Sequence, residues 1–184
     1  MNIPPEDEQI LQLLFEVGGV VAGGYIRDII AWVTPNDIDI VIPDAGFELF
    51  TQSLTSLGYT RSEDADVETD FLFISEQGKP IEGIILDRRP GVSARGFLED
   101  AVPGEYLGFP TSPDFDVNLL AFDGDRLYNW MSLGDMPSLW VPNIISRILR
   151  RETLMSSEPV SSDRIDKMLA KGYRIVGHFG EPEY

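Results

Sequence analysis

The sequence has no cysteine and one histidine among its 184 residues, and both shortages limit its chemistry. Without cysteine the chain has no disulfide, no thiolate metal ligand and no thiol nucleophile. His178 has neither a second histidine nor a cysteine with which to share a metal, so we do not expect it to be a ligand. A chain without cysteine also fits the cytoplasm, where disulfides are rare.

Long apolar runs are missing as well. No segment approaches the roughly 20 apolar residues that span a bilayer, and the first residues, MNIPPEDEQ, lack the basic and apolar regions of a signal peptide. We therefore expect a soluble, cytoplasmic protein with no membrane partner. At this length, one domain with a small appendage is expected.

Basic residues are few, with 14 Lys and Arg against 31 Asp and Glu, which gives a formal net charge of -17. Residues 1–140 carry 7 basic against 25 acidic side chains, whereas residues 141–184 carry 7 against 6. A large negative charge repels polyanions and so counts against a long polynucleotide substrate. The balanced C-terminal part leaves open a protein partner bound through five of its seven basic side chains, Arg147, Arg150, Arg151, Lys167 and Lys171.

The first third of the chain alternates between helical and strand patterns. Apolar spacing predicts a helix over residues 5–16. The run GVVAGG then predicts a buried strand that opens into a helix at YIRDIIAWV. A second strand is predicted at DIDIVIP, and the helix that begins there at Pro43 and Asp44 is expected to end at Gly58.

The remaining two thirds predict two hairpins followed by two helices. FLFIS pairs with PIEGIILD, and residues 88–113 are predicted to be mostly loop. FDVNLLAFDGDRLYNW is a second hairpin that turns at DGD, and Asn118 in its first strand is expected to be a buried amide bonded to backbone. The two helices are PNIISRILRRETLM and SSDRIDKMLAKG. This order predicts an α+β fold with a mixed sheet and helices packed on it.

Two aspartates in the second predicted strand suggest a metal site. Side chains in a strand alternate between faces, so Asp37 and Asp39 share one face and Ile38 and Ile40 the other. Two carboxylates this close raise each other's pKa unless a cation lies between them, and oxygen ligands suit Mg²⁺. A DxD pair alone is more often a solvated pair, so the hypothesis depends on its surroundings.

The glycines of the same stretch provide such surroundings. Gly23 and Gly24 lie where the first strand turns into a helix. Glycines at such a turn let backbone N–H groups and the helix N-terminus approach an anion such as a phosphate. A carboxylate pair that binds Mg²⁺ and a turn that binds phosphate belong to one kind of chemistry.

Together these features resemble a known family. GGYIRDIIAWVTPNDIDI is similar to the head-domain signature of tRNA CCA-adding enzymes and bacterial poly(A) polymerases, in the polymerase-beta-like nucleotidyltransferase superfamily. That signature reads GGxVRDxLLG, four residues, then DxD. Ile26 replaces its Val, and Trp32 stands at its last Gly. The residues in register are Gly23, Gly24, Arg27, Asp28, Pro35, Asp37 and Asp39.

Two later segments extend the resemblance, which covers about residues 8–130. PIEGIILDRR is similar to the family strand that carries a third acidic residue, with Glu82 in that place and Arg88 near the family's arginine. PDFDVNLLAFD resembles the family strand RRDFTINALAYD. Its matching residues are Asp114, Phe115, Asn118, Leu120, Ala121, Phe122 and Asp123.

The resemblance implies a fold and a reaction. The fold would be a polymerase-beta-like palm, with a mixed, mainly antiparallel sheet in a head domain of residues 1–135 and a short helical C-terminal extension of residues 136–184. Asp37, Asp39 and Glu82 would be catalytic and would bind two Mg²⁺ ions. A nucleoside monophosphate would pass from an NTP to a hydroxyl acceptor with release of pyrophosphate. The residues that would bind the nucleotide are Gly23, Gly24, Arg27 and Arg88.

Several features leave alternatives open. Arg27 would equally form a structural ion pair with Asp28. The family's arginine pair before DFTINALAY is replaced by Ser112 and Pro113. The neck motif EDxxRILR, whose acidic and arginine side chains choose the base, keeps Arg147 but has Asn143 and Ile144 at its acidic pair. The acceptor is thus an RNA end, a small molecule or a protein, and the alternative is a non-catalytic nucleotide-binding or structural protein on the same fold.

Overall fold

The computed structural model of the chain describes residues 3–64, 69–76, 78–86, 114–129 and 137–179. The strands of its main sheet are β1 (Val20–Ala22), β2 (Ile38–Pro43), β3 (Thr60–Ser62), β4 (Phe71–Ile74), β5 (Ile81–Leu86), β6 (Leu120–Phe122) and β7 (Leu127–Asn129). The helices are α1 (Pro5–Glu16), α2 (Gly23–Ile30), α3 (Asp44–Ser56), α4 (Val141–Arg150) and α5 (Ser162–Ala170). Two further strands are β8 (Glu152–Ser156) and β9 (Arg174–Phe179).

The main sheet has the order β3-β4-β5-β2-β1-β6-β7. Its strands β2 and β5 pair in parallel, and the other neighbouring pairs are antiparallel. The predicted α+β class with a mixed, mainly antiparallel sheet is therefore confirmed. Because β2 lies in the middle of this order, Ile38, Ile40 and Ile42 are almost completely buried. The apolar run DIDIVIP thus forms a central strand.

The predicted helices of the first third are confirmed. In α1 the side chains at helical spacing, Ile10, Leu11 and Leu14, enter the core, while the first turn is acidic. The helix α3 buries Phe50 and Leu54 and follows directly on β2. None of the helices in the described part of the chain has the length and apolarity needed to cross a membrane.

Both predicted hairpins form, but the second begins later than expected. β4 pairs with β5, and β6 pairs with β7 around a turn in which Asp123 Oδ1 accepts hydrogen bonds from the N–H groups of Asp125 and Arg126. Residues Asp116–Asn118 form a 3₁₀ turn, so the prediction of a strand at Asn118 is wrong. Hydrogen bonds between Asp116 and residues distant in sequence stabilise this turn despite the local β-propensity. The predicted loop over residues 88–113 lies outside the described residues.

The C-terminal extension is more than two helices. The helices α4 and α5 were expected, and Ser161 Oγ caps α5 by accepting a hydrogen bond from the Arg164 N–H at 3.4 Å. However, α4 ends at Arg150, the following residue Arg151 has a φ of 55°, and the ETLM segment predicted as helix belongs to β8. This strand pairs in parallel with β9, about 20 residues further along the chain. The pairing supplies backbone hydrogen bonds that the local sequence pattern does not reveal.

One buried carboxylate joins the extension to the head. Asp116 has no exposed surface, and its Oδ2 accepts a hydrogen bond from Arg147 Nε of α4 at 2.5 Å. Its Oδ1 accepts hydrogen bonds from Thr153 Oγ1 at 2.9 Å and from the Leu154 N–H at 2.7 Å. Buried apolar side chains of the extension belong to the same core as the main sheet; they include Ile144, Ile148, Met168, Tyr173 and Phe179.

The end of α2 carries an unusual residue. The Val33 N–H donates to the Asp28 carbonyl at 2.9 Å and the Trp32 N–H to the Ile29 carbonyl at 3.2 Å, which is the Schellman pattern of helix termination. The residue at the left-handed position of this motif is usually glycine, but here Trp32 adopts a φ of 58° with its side chain 80% exposed. The family signature has glycine at this position, and the left-handed backbone conformation explains why.

Trp32→Gly should stabilise the protein. A left-handed conformation costs an L-residue roughly 1–2 kcal/mol, and the exposed indole regains little of this by packing. Glycine also raises the conformational entropy of the unfolded chain, which offsets part of this gain. We therefore expect the free energy of unfolding, measured by urea denaturation, to rise by about 1 kcal/mol. Trp32→Ala is the matched control, because alanine removes the indole and keeps the strain. Equal stability of the two variants would contradict this explanation.

Candidate active site

Three carboxylates meet where β2 and β5 begin. Asp39 and Glu82 are register partners on the parallel pair, and Asp37 lies two residues before Asp39 on the same face. One oxygen from each carboxylate lies within 4.8 Å of the other two. All three side chains are half-buried, whereas Ile38 and Ile40 point into the core. The structure therefore brings together the three residues predicted to bind metal.

The two strands approach each other closely because of a glycine. A Cβ at Gly83 would lie 2.3 Å from the Ile40 carbonyl oxygen and 2.8 Å from Ile40 Cγ1. Heavy atoms do not approach this closely, so any side chain at this position would push β5 away from β2. Gly83 directly follows Glu82, and its missing side chain keeps the third carboxylate next to the other two.

The predicted phosphate turn contacts the carboxylate cluster. β1 ends at Ala22 and α2 begins at Gly23, which has a φ of +66°. A Cβ on Gly23 would lie 3.0 Å from Asp39 Oδ2, and the Gly24 N–H donates a hydrogen bond to that same oxygen at 3.1 Å. Only glycine fits both the backbone conformation and the close approach. Turn and carboxylates thus form one continuous surface.

The electrostatics of the cluster favour a cation. Burial, together with the neighbouring carboxylates of Asp37 and Glu82, raises the pKa of Asp39 to about 8. The hydrogen bond from the Gly24 N–H acts against this rise. A group of carboxylates is acceptor-only when ionised, and hard divalent cations prefer oxygen ligands. The residues present therefore fit Mg²⁺.

Arg27 forms the structural ion pair that the sequence left open, and it also lies beside the predicted phosphate turn. Its side chain is buried, and Nε donates to Asp28 Oδ1 at 2.7 Å in an ion pair. Nη1 donates to Asn118 Oδ1 at 2.8 Å. Nη2 lies 3.4 Å from where a Cβ on Gly24 would be, so this nitrogen faces the turn. The ion pair is thus present, and one edge of the guanidinium borders the candidate site. Arg88 lies outside the described residues.

Sequence reasoning missed two contacts near this site. Asn118 orients Arg27 through its amide oxygen, although we expected it to bond to backbone. Arg147, kept from the neck motif, forms an ion pair with Asp116 and donates to the Ser138 carbonyl. A signal for the second contact was present, because Asp116 stands where the resembling strand has Thr. A new buried carboxylate needs a partner, and the nearby arginine provides one.

Solved CCA-adding enzymes share the fold of this chain. Among solved structures, a CCA-adding enzyme in complex with CTP matches 83% of this chain and 34% of its own, with a TM-score of 0.53 and 17% identity. A CCA-adding enzyme with ATP gives a TM-score of 0.53 and 15% identity over the same shares. The Thermotoga maritima CCA-adding enzyme complexed with tRNA gives 0.50 and 16%, over 83% and 33%.

At this level of identity the likeness establishes the fold and leaves the activity open. The chain spans about a third of the length of these structures. No protein-family model matches the chain, and no curated protein matches it in sequence. The predicted nucleotidyltransferase fold, resembling that of CCA-adding enzymes, is therefore confirmed.

Without metal, the protein should lose stability as the pH rises from about 4 to about 8. The pKa of Asp39 is higher in the folded chain than its ordinary value, so the native state binds this proton more tightly, and its contribution disappears as Asp39 ionises. Asp39→Asn removes this loss. We expect it to raise the free energy of unfolding at pH 8 by at least about 1 kcal/mol, since one pKa unit corresponds to about 1.4 kcal/mol.

The measurement is urea denaturation in EDTA at pH 5 and pH 8. Other groups also titrate in this range, so the quantity to compare is the difference between variant and wild type at each pH. Asp166→Asn on the exposed side of α5 is the control for the loss of a carboxylate outside the cluster. An Asp39→Asn protein no more stable than wild type at pH 8 would show that the carboxylates do not strain the metal-free fold.

Proposed function

We propose that this protein is a Mg²⁺-dependent nucleotidyltransferase that moves a nucleoside monophosphate from an NTP to a hydroxyl acceptor and releases pyrophosphate. The observation that carries the proposal is the contact between Asp39 and the Gly23–Gly24 turn, because it joins a metal-binding cluster to a phosphate-binding turn. Either feature alone also occurs in proteins that bind neither metal nor phosphate there. Together they would offer a metal–triphosphate complex three carboxylate oxygens beside backbone N–H groups of a helix N-terminus.

The proposed roles follow from the chemistry of each group. Asp37, Asp39 and Glu82 would hold two Mg²⁺ ions, which lower the pKa of an attacking hydroxyl and stabilise charge at the transferring phosphate. The turn at Gly23 and Gly24 binds the triphosphate through backbone N–H groups. Arg27 Nη2 adds a charged donor at the same turn. Arg88 stays a proposed phosphate ligand on the resemblance alone.

The acceptor hydroxyl belongs to an RNA end, a small molecule or a protein. One matched structure, a CCA-adding enzyme, is complexed with tRNA, which supports an RNA end among the candidate acceptors. The net charge of -17 favours a short contact over a long polynucleotide. We retain a small molecule or a protein as candidates. We also propose that residues 1–135 form the head and residues 136–184 an extension that supports it, with a basic surface open to a protein partner.

A second candidate is a nucleotide-binding protein without catalysis. The observation that favours it is the ion pair between Arg147 and Asp116. This pair occupies the arginine kept from the neck motif, so that its guanidinium is not free to contact a base. With Asn143 and Ile144 in place of acids, the base-selecting set of the family is incomplete. Such a protein would bind Mg²⁺ and NTP without releasing pyrophosphate. It would also show little preference among the four bases.

The test is pyrophosphate release from each of the four NTPs with Mg²⁺ and, as acceptors, short RNAs, alcohols and protein fractions. We expect Asp37→Ala and Asp39→Ala to reduce the rate roughly 10³-fold, because metal stabilisation of the transition state is worth several kcal/mol and 1.36 kcal/mol is tenfold. Calorimetric titration of Mg²⁺ and NTP runs in parallel. Both variants should lose the Mg²⁺-dependent part of NTP binding.

Asp166→Ala is the control for the loss of one negative charge. It removes an exposed carboxylate from α5 and should leave both the rate and NTP binding unchanged. Binding without pyrophosphate release, if it depends on Asp37 and Asp39, would favour the non-catalytic candidate. Absence of any Mg²⁺-dependent NTP binding by the wild type would refute both.

A further inference from the structure

Asp28 binds two cations, and one of them comes from the C-terminal extension. Its Oδ1 accepts the hydrogen bond from Arg27 Nε at 2.7 Å, and its Oδ2 accepts one from Lys171 Nζ at 2.8 Å. The carboxylate is 4% exposed and the Arg27 side chain 6%, while Lys171 at the end of α5 is 34% exposed. A helix near the C-terminus therefore reaches the Arg-Asp pair of the nucleotidyltransferase signature.

The charges of this cluster do not cancel. Arg27 and Asp28 alone would form a neutral pair, and a neutral pair offers little attraction to a distant anion. Lys171 adds a second positive charge to the same carboxylate, which leaves the trio with a net charge of +1. Arg151 adds to this excess: its guanidinium lies 5.4 Å from the centre of the Tyr173 ring, which Arg27 approaches to 6.0 Å.

The excess charge lies beside the candidate phosphate turn. Two sides of the Arg27 guanidinium are occupied, since Nε donates to Asp28 and Nη1 to Asn118 Oδ1 and Met168 Sδ. Nη2 lies 3.4 Å from the position of a Cβ on Gly24, and Asp39 Oδ2 lies 3.4 Å from that same point. These bonds fix the guanidinium with one edge toward the turn. They prevent it from rotating into a second contact with Asp28.

We propose that Lys171 is a positioning residue of the nucleotide site, which balances Asp28 so that Arg27 presents a net positive charge to the triphosphate. The inference rests on the proposed function, because it explains how that same site attracts its polyphosphate. It also gives the extension a part in nucleotide binding, through a residue far in sequence from the signature. The competing explanation is a structural tie between α5 and α2.

The two explanations differ in their dependence on phosphate charge. A loss of net charge weakens binding more as the ligand carries more negative charge, whereas a loosened helix weakens all nucleotides alike. Lys171→Met removes the charge and keeps the aliphatic stem. Lys171→Arg keeps the charge and should rescue binding. Lys167→Met, one helical turn earlier on the exposed side of α5, is the matched control.

The experiment is calorimetric titration of the full chain with Mg²⁺ and the α,β-methylene analogues of ATP and CTP, followed by AMP and CMP. For Lys171→Met we expect Kd for the triphosphate analogue to rise about tenfold, as for one unit charge acting over roughly 10 Å in a partly buried site. Kd for the monophosphate should change by less than about threefold, in keeping with its smaller charge. Lys171→Arg and Lys167→Met should bind both ligands as the wild type does.

Equal weakening of triphosphate and monophosphate binding, or no rescue by Lys171→Arg, would overturn the positioning role of Lys171. The lysine would then only hold α5 against α2. A Lys171→Met protein that binds the triphosphate as well as wild type would overturn it too, while the proposed function stands. A wild type without Mg²⁺-dependent triphosphate binding would overturn both. Thermal unfolding of each variant verifies folding, which the 34% exposure of Lys171 favours.

Discussion

The parallel pairing of β2 with β5 is the constraint on which the rest of the site depends. It places Asp39 directly opposite Glu82, and Gly83 permits the strands to approach to the necessary distance. Parallel neighbours begin at the same edge of the sheet, so side chains at their starts converge there. The burial of both strands in the middle of the sheet fixes their register, since a slip of one residue would turn the carboxylates into the core.

Two buried carboxylates connect the extension to this framework, and each uses both of its oxygens. Asp116 binds Arg147 on one side and Thr153 with the Leu154 N–H on the other. Asp28 binds Arg27 and Lys171. A buried carboxylate that loses one such partner is left with uncompensated charge, so each connection favours a single placement of α4 and α5. The C-terminal helices therefore share the hydrophobic core of the main sheet.

Local sequence was enough to predict much of the fold and the centre of the site. Alternation in DIDI placed Asp37 and Asp39 on one face, because strand periodicity depends only on neighbouring residues. The strand β8 was missed because its partner β9 lies beyond α5, and parallel pairing has no signal within either strand. The partners of Arg27 and Asp28 were missed for the same reason, since Asn118 is 91 residues from Arg27 and Lys171 is 143 residues from Asp28.

The charge distribution around the turn suits the metal–triphosphate complex that we propose as the ligand of this site. On one side three carboxylates repel a polyphosphate, and on the other side the cluster of Arg27, Asp28 and Lys171 attracts it. Only a ligand that carries cations on one side and bare phosphate oxygens on the other satisfies both. A metal–triphosphate complex has this form, whereas free NTP and free metal each meet one unfavourable surface. In the proposed site the two components would promote each other's binding, and the Gly24 N–H, bonded to Asp39, lies at the boundary between the two surfaces.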